Sequence, residues 1–120
     1  MWAIEFHPAF APEFDALAAA VQDEMLAVAK LLEAFGPSLG RPRADTLKGS
    51  RHANMKELRF DAAGGVWRVA FAFDPRRRAV LLAAADKSGV GQRRFYARLI
   101  AKADERYAEH LARLKTRKGR

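Results

Sequence analysis

Basic and aromatic side chains able to act on a phosphate fall in three stretches of this 120-residue chain. Lys48, Arg51, His52 and Lys56 form the first. Arg68 stands alone among apolar and small residues. Asp86, Lys87, Arg93, Arg94 and Tyr96 form the third. Brought together, such a set suits cleavage of an RNA phosphodiester without a metal. A base removes the proton of a ribose 2′-hydroxyl, which then attacks the adjacent phosphate. Arginine and lysine stabilise charge on the phosphoryl oxygens. An acid or a protonated lysine helps the 5′-oxygen leave, and an aromatic ring can stack on a base. His52, an imidazole in the basic loop, is a candidate proton carrier. Taken alone the pattern is not specific, because RNA-binding domains also place Arg, Lys and Tyr on a sheet.

Other chemistries have little support. Cysteine is absent, which removes disulfides, thiolate metal sites and cysteine nucleophiles. His7, His52 and His110 lack the close His, Asp or Glu spacing of a metal site, and His7 and His110 are expected at the surface, at element ends. Gly36 and Gly40 are not followed by the Lys-Ser/Thr of a phosphate loop. No Gly-x-Ser-x-Gly elbow occurs, and acids are few outside the helices. Neither a metal nor a cofactor is expected.

The charge is uneven. The net charge is +8, yet residues 1–40 carry one base and six acids, whereas residues 41–120 carry 21 bases and eight acids. Concentrated positive charge focuses potential toward polyanions, with nucleic acid the first to consider. No apolar run reaches the roughly 18 residues of a membrane span, and the start lacks the basic region of a signal peptide. A single cytoplasmic domain over residues 1–114 is expected, with no membrane partner and a basic, disordered tail at 115–120.

The elements that must position these residues follow from periodicity. Residues 1–6 alternate as a strand. Apolar residues from Phe10 to Phe35 recur at three- and four-residue spacing, as one kinked helix or as two helices jointed near Ala18–Ala20. Gly36-Pro37 stops them. Residues 36–54 read as a long basic loop, a feature that tends to be functional. Strands are predicted over 55–60, 66–73 and 79–85, joined by tight turns into an antiparallel meander. A last helix is predicted over 92–113. The order β-α(α)-β-β-β-α gives an α+β domain with its helices on one sheet face.

Strand alternation sorts the side chains. Trp2, Ile4, Phe6, Leu58, Phe60, Trp67, Val69, Phe71, Phe73, Val80 and Leu82 form an apolar face for the helices. Ala3, Glu5, Glu57, Arg59, Arg68, Ala70, Ala72, Ala79, Ala83 and Ala85 form a small, polar face, open to a ligand. On it Arg68 has Glu57 and Glu5 as cross-strand acids, which would make it a surface ion pair of little value.

The stretches LKGSRHANMKELRF (47–60), VWRVAFAFDP (from Val66) and ADKSG (from Ala85) resemble the RelE/ParE superfamily of toxins, in particular its HigB-like, phage Gp49-related branch. The resemblance covers nearly the whole chain. It implies a RelE-like fold and a toxin of a type II toxin–antitoxin pair, an endoribonuclease that cleaves mRNA, often in the ribosomal A site, and so inhibits translation. The implied partner is a small antitoxin, in this branch commonly a helix-turn-helix DNA-binding protein, in a toxin–antitoxin hetero-oligomer.

By position, the family's strand arginine falls on Arg68, the basic residue after the last strand on Lys87, and the helix aromatic on Tyr96, beside Phe95. Its basic residues around the second strand fall on Lys48, Lys56 and Arg59. The expected roles are phosphate binding by Arg68 and Lys87, and proton removal by Tyr96 or His52. Lys48, Arg51, Lys56, Arg59, Arg93 and Arg94 would hold RNA. A ParE-like inhibitor of DNA gyrase, a non-catalytic RNA-binding module and a decayed toxin are the alternatives.

Overall fold

A computed structural model describes residues 1–118. Strand β1 (Ala3–Phe6) leads through helices α1 (Phe10–Asp15) and α2 (Ala19–Phe35) to the short strand β2 (Ala44–Thr46). Strands β3 (Met55–Ala62), β4 (Gly65–Phe73) and β5 (Arg78–Asp86) and helix α3 (Gln92–Lys118) complete the chain. The sheet order is β1-β5-β4-β3-β2. β1 lies parallel to β5, and every other pairing is antiparallel. The fold is thus α+β, with the expected meander at its centre.

Three features depart from expectation. The 36–54 segment is not all loop: β2 pairs its Asp45 with Glu57 of β3, a strand of three residues being too short to show a period. The first helical stretch takes the second of its two expected forms, a pair of helices. Their joint is fixed by Gln22, whose Nε2 donates to Phe14 O at 2.9 Å and Asp15 O at 3.2 Å, while the Leu17 N–H also donates to Phe14 O at 3.0 Å, so the last carbonyls of α1 are satisfied across the joint. α3 runs on to Lys118, past the expected end at 113. Of the tail expected to be disordered, residues 119–120 lie outside the described residues.

The third departure concerns the layers. The helices cover both faces of the sheet, not one. α1 and α2 bury Phe10, Met25 and Leu32 against Leu58, Val69, Phe71 and Leu81. α3 buries Phe95, Leu99, Ala103 and Tyr107 against Met55, Ala70, Ala72, Val80, Leu82 and Ala83. The alanine face is therefore not an open platform. Small side chains let a helix close on it, and Ala70, Ala72 and Ala83 are fully covered. A β-bulge explains the missorted strand. Ala70 pairs with Ala83 and Phe71 with Leu81, leaving Leu82 extra. The phase of β5 slips there, so Val80 and Leu82 face α3 while Ala79 faces α2.

The second half of α3 is held by polar groups. Arg106 grips Glu13 of α1 with two hydrogen bonds, 2.9 and 2.6 Å, and donates to Leu82 O at 2.8 Å. The Tyr107 hydroxyl donates to Phe73 O at 3.1 Å. His110 Nε2 lies 2.8 Å from Asp74 Oδ2. His7 and His110 are 1% and 2% exposed, so both are interior groups rather than surface ones. His7 Nδ1 accepts the Ala9 N–H at 3.0 Å, and its Nε2 lies 3.0 Å from Glu109 Oε1.

At the end of α2, Gly36 has φ +53°, and a Cβ there would lie inside the Trp2 indole. Only glycine gives both the turn and the room. Among the described residues no helix is long and apolar enough to cross a membrane.

Candidate active site

β3 alternates, so Met55, Glu57 and Arg59 project toward α3. Met55 is absorbed into the core, while Glu57 and Arg59 lie beyond the apolar contact, where the start of α3 meets β2 and β3. Glu57 is 3% exposed. Its Oε2 accepts from Arg59 Nη2 at 2.9 Å and Nε at 3.2 Å. Its Oε1 accepts the Tyr96 hydroxyl at 2.8 Å and lies 3.7 Å from Arg68 Nε. Arg59 and Arg68 are direct partners across the β3–β4 ladder. Two like charges opposite each other are unfavourable, and the carboxylate of Glu57 between them offsets that repulsion.

Each group around Glu57 is itself constrained. Arg68 Nη1 donates to Trp67 O at 2.9 Å, while its Nε is buried without a hydrogen bond. Arg59 also reaches Asp45 Oδ2 at 3.4 Å, and Arg41 reaches the same oxygen at 3.0 Å. The Asp45 carboxyl is held below its usual range, first by the Thr46 N–H and then by Arg41 and Arg59, against the opposing effect of burial. The Tyr96 phenol is pushed up, first by burial and then by its bond to Glu57, with Arg68 opposing. It therefore keeps its proton and donates it to Glu57.

Glu57, Arg59 and Tyr96 of this cluster form one wall of a cleft of about 920 Å³. Arg41, Lys48, Arg59 and Arg93 line it against Asp45 and Glu57, so it is net positive. Leu47, Ala97 and Ile100 give it an apolar side. Arg59 and Arg68 also line a smaller cavity of about 300 Å³ with Arg43 and Asp61. A basic cleft with a two-arginine, one-carboxylate, one-phenol cluster can bind a phosphate, neutralise developing charge and move a proton.

Of the residues singled out in the sequence, Lys48, Arg59, Arg93 and Tyr96 meet in the cleft, and Arg68 stands behind it. The others do not join them. His52 packs edge-on against Tyr107, ring centroids 4.9 Å apart, and Tyr107 lies three turns along α3 from Tyr96, roughly 16 Å. Arg51 is turned toward Asp104, to which its backbone N–H donates at 3.0 Å. Lys56 points to the α2 face, its ammonium 6.0 Å from the Phe73 ring centre. Lys87 and Arg94 line neither cavity. Lys87 sits at the end of β5, where its N–H donates to Val66 O at 2.7 Å. Asp86 is committed to that turn, accepting from Val66 N at 3.0 Å and Ser88 N at 2.9 Å. The Ser88 bonds hold its carboxyl below the usual range.

Glu57 is the residue the sequence hides as a site member. Its signal is weak: an acid two positions before an arginine on a strand, with a second arginine opposite. That pattern also describes an ordinary surface ion pair. Among the described residues no three His, Cys, Asp or Glu side chains are grouped to hold a metal ion.

Comparison with known proteins places this architecture. The model of the phage-derived Gp49-like protein family matches residues 12–108. The Mycobacterium tuberculosis H37Rv protein named "Putative toxin HigB2" is 47% identical over 95 residues, spanning 78% of this chain and 47% of that protein. The same organism's "Putative toxin HigB3" is 49% identical over 82 residues, 68% of this chain and 69% of the other. The chain thus spans about half the length of the first of these relatives. The free-state structure of a double-arginine mutant of the E. coli toxin RelE aligns with a TM-score of 0.60. It shares 9% identity and covers 88% of this chain and 96% of the other, and the fold is RelE-like.

Proposed function

The chain belongs to the phage-derived Gp49-like family, and on that premise we propose that it is the toxin of a type II toxin–antitoxin pair, an endoribonuclease that cuts mRNA on the ribosome. The observation that carries this reading is the buried Glu57 flanked by Arg59, Arg68 and Tyr96 at the wall of a net-positive cleft. The names of the HigB relatives support the toxin role.

In this reading the strand of RNA lies along the cleft. Lys48, Arg93 and Arg41 hold its phosphates. Arg59, at the cleft wall, binds the scissile phosphate, a planar and bidentate task suited to a guanidinium group, and Arg68, paired with it across the ladder, adds positive charge from behind. The 2′-hydroxyl attacks, giving a 2′,3′-cyclic phosphate and a free 5′-hydroxyl. The arginines supply the positive charge that a metal would otherwise provide, so the scheme needs none. His52 has no part in it. Arg51, Lys56, Lys87 and Arg94 lie outside the cleft and are assigned to contacts with ribosomal RNA or to no RNA at all. The cognate antitoxin is a small helix-turn-helix protein that holds the toxin inactive in the cytoplasm.

The test is cell-free translation with purified protein, followed by primer extension on the mRNA. Wild-type protein should give cuts that need translating ribosomes. Arg68→Ala should give none at equal soluble level and unchanged circular dichroism. Intact mRNA with trapped gyrase–DNA complexes would replace this reading with gyrase poisoning. Full cleavage by Arg68→Ala would remove that arginine from the site.

A further inference from the structure

We propose that Glu57 is the proton sink of the cleavage reaction, reached through the phenol of Tyr96. This rests on the endoribonuclease reading above. The carboxylate lies deep in the cleft wall, 3% exposed, with both oxygens engaged by Arg59 and Tyr96, so the phenol stands between it and a substrate. Tyr96 is half-buried, faces the cleft and donates to Glu57 Oε1 at 2.8 Å. A phenol held in its protonated form is a poor base by itself. It accepts a proton only if its own can leave, and the carboxylate at the other end of its hydrogen bond takes that proton.

The other candidate bases are unsuited. His52 lies against Tyr107, outside the cleft. Asp86 is bound into the turn after β5. Asp45 is held in its ionised form by Thr46, Arg41 and Arg59, which makes it a weak acceptor.

The step balances as follows. The 2′-O–H bond breaks and its proton passes to Tyr96 Oη, as the phenolic proton passes to Glu57 Oε1. The 2′-oxygen bonds to phosphorus, the P–O5′ bond breaks, and the 5′-oxygen takes a proton from Lys48, the ammonium group lining the same cleft. Solvent exchange returns Glu57 to carboxylate and Lys48 to ammonium. Neutralising Glu57 during attack also frees Arg59 and Arg68 from their internal anion when charge builds on the phosphate. Glu57 is thus a positioning residue acting through Tyr96. In the resting protein it competes with RNA for the arginine pair.

The test separates binding from chemistry. Single-turnover cleavage is measured on programmed ribosomes for wild type, Glu57→Gln, Glu57→Asp, Tyr96→Phe and the Glu57→Gln/Tyr96→Phe double variant. Binding is measured on an RNA carrying 2′-deoxyribose at the scissile position. Glu57→Gln and Tyr96→Phe should each slow cleavage by about 100-fold or more, and the double variant should be no slower than either. Glu57→Asp should recover part of the rate. Glu57→Gln should bind the deoxy RNA as tightly as wild type or more tightly, because it removes a negative charge from the arginine pair. Tyr96→Phe, which deletes only a hydroxyl, tests the relay even if Glu57→Gln loses its fold. Wild-type cleavage rates in Tyr96→Phe, or additive losses in the double variant, would overturn the relay alone. A wild-type protein that cuts no RNA would overturn the endoribonuclease reading and the relay with it.

Discussion

At the scale of single residues, the interior holds titratable groups that tie stability to pH. Burial lowers the pKa of His7, and Arg113 and Arg106 push the same way, against Glu109. The folded protein therefore keeps this imidazole neutral. The unfolded chain takes up the proton as pH falls through about 6.5. Unfolded protein then binds more protons than folded, so stability is whole above that pH and declines below it. Glu13 acts lower. Its hydrogen bond from Arg106 holds it below the usual range, so its contribution fades only as pH falls below about 4.5. Urea unfolding between pH 7.5 and 5.5 should show a decline in wild type and a flatter profile in His7→Asn. Equal slopes would show that His7 does not set this window. The same scale explains why Arg68 was easily singled out and Glu57 was not. An arginine among Val69, Ala70 and Trp67 breaks the composition of its strand. A glutamate between Lys56 and Leu58 does not. Its burial comes from α3, forty residues later, and no local pattern carries that.

At the scale of elements, the meander was plain in the sequence because Val66–Phe73 alternates without a fault and its turns carry Gly64-Gly65 and Asp74-Pro75. The layering was not. Ala70, Ala72, Ala83 and Ala85 present the same pattern to an open groove and to a tightly seated helix. The bulge at Leu82 then altered the phase within one strand. Part of the cleft was readable, since the basic residues of β3 and the start of α3 were expected to converge. The 48–59 stretch, however, splits between two faces and an outer loop, and His52 and Lys56 leave the site with it. The junction of α2 and β1 gives a direct test. Gly36→Ala forces an alanine to φ +53° and drives its Cβ into Trp2. We expect a loss of at least about 2 kcal/mol in urea unfolding. A loss below about 0.5 kcal/mol would mean that the indole moves aside easily.

At the scale of the whole molecule, charge is divided. The first 40 residues are acidic and the remaining 80 strongly basic, and the basic portion supplies every cation lining the cleft. Arg41, Lys48, Arg59 and Arg93 are the cations there. For single-stranded RNA each neutralised phosphate contributes about −0.7 to the slope of log affinity against log salt. A slope of about −3 is therefore expected for a short non-cleavable RNA, measured by fluorescence anisotropy from 50 to 300 mM salt. Lys48→Ala should reduce it by about one phosphate's share. A slope near zero would place RNA elsewhere than in this cleft.

The extra residue in β5 has a consequence for descent. Inserting Leu82 frees one carbonyl from the ladder, and Arg106 takes it while holding Glu13. The bulge and the arginine form one structural unit. A lineage that lost Leu82 would keep both flanking pairings but leave Arg106 with a single partner. One that lost Arg106 would leave a buried carbonyl bare. In this lineage the two positions should be gained and lost together, and their covariation marks the bulge without a structure.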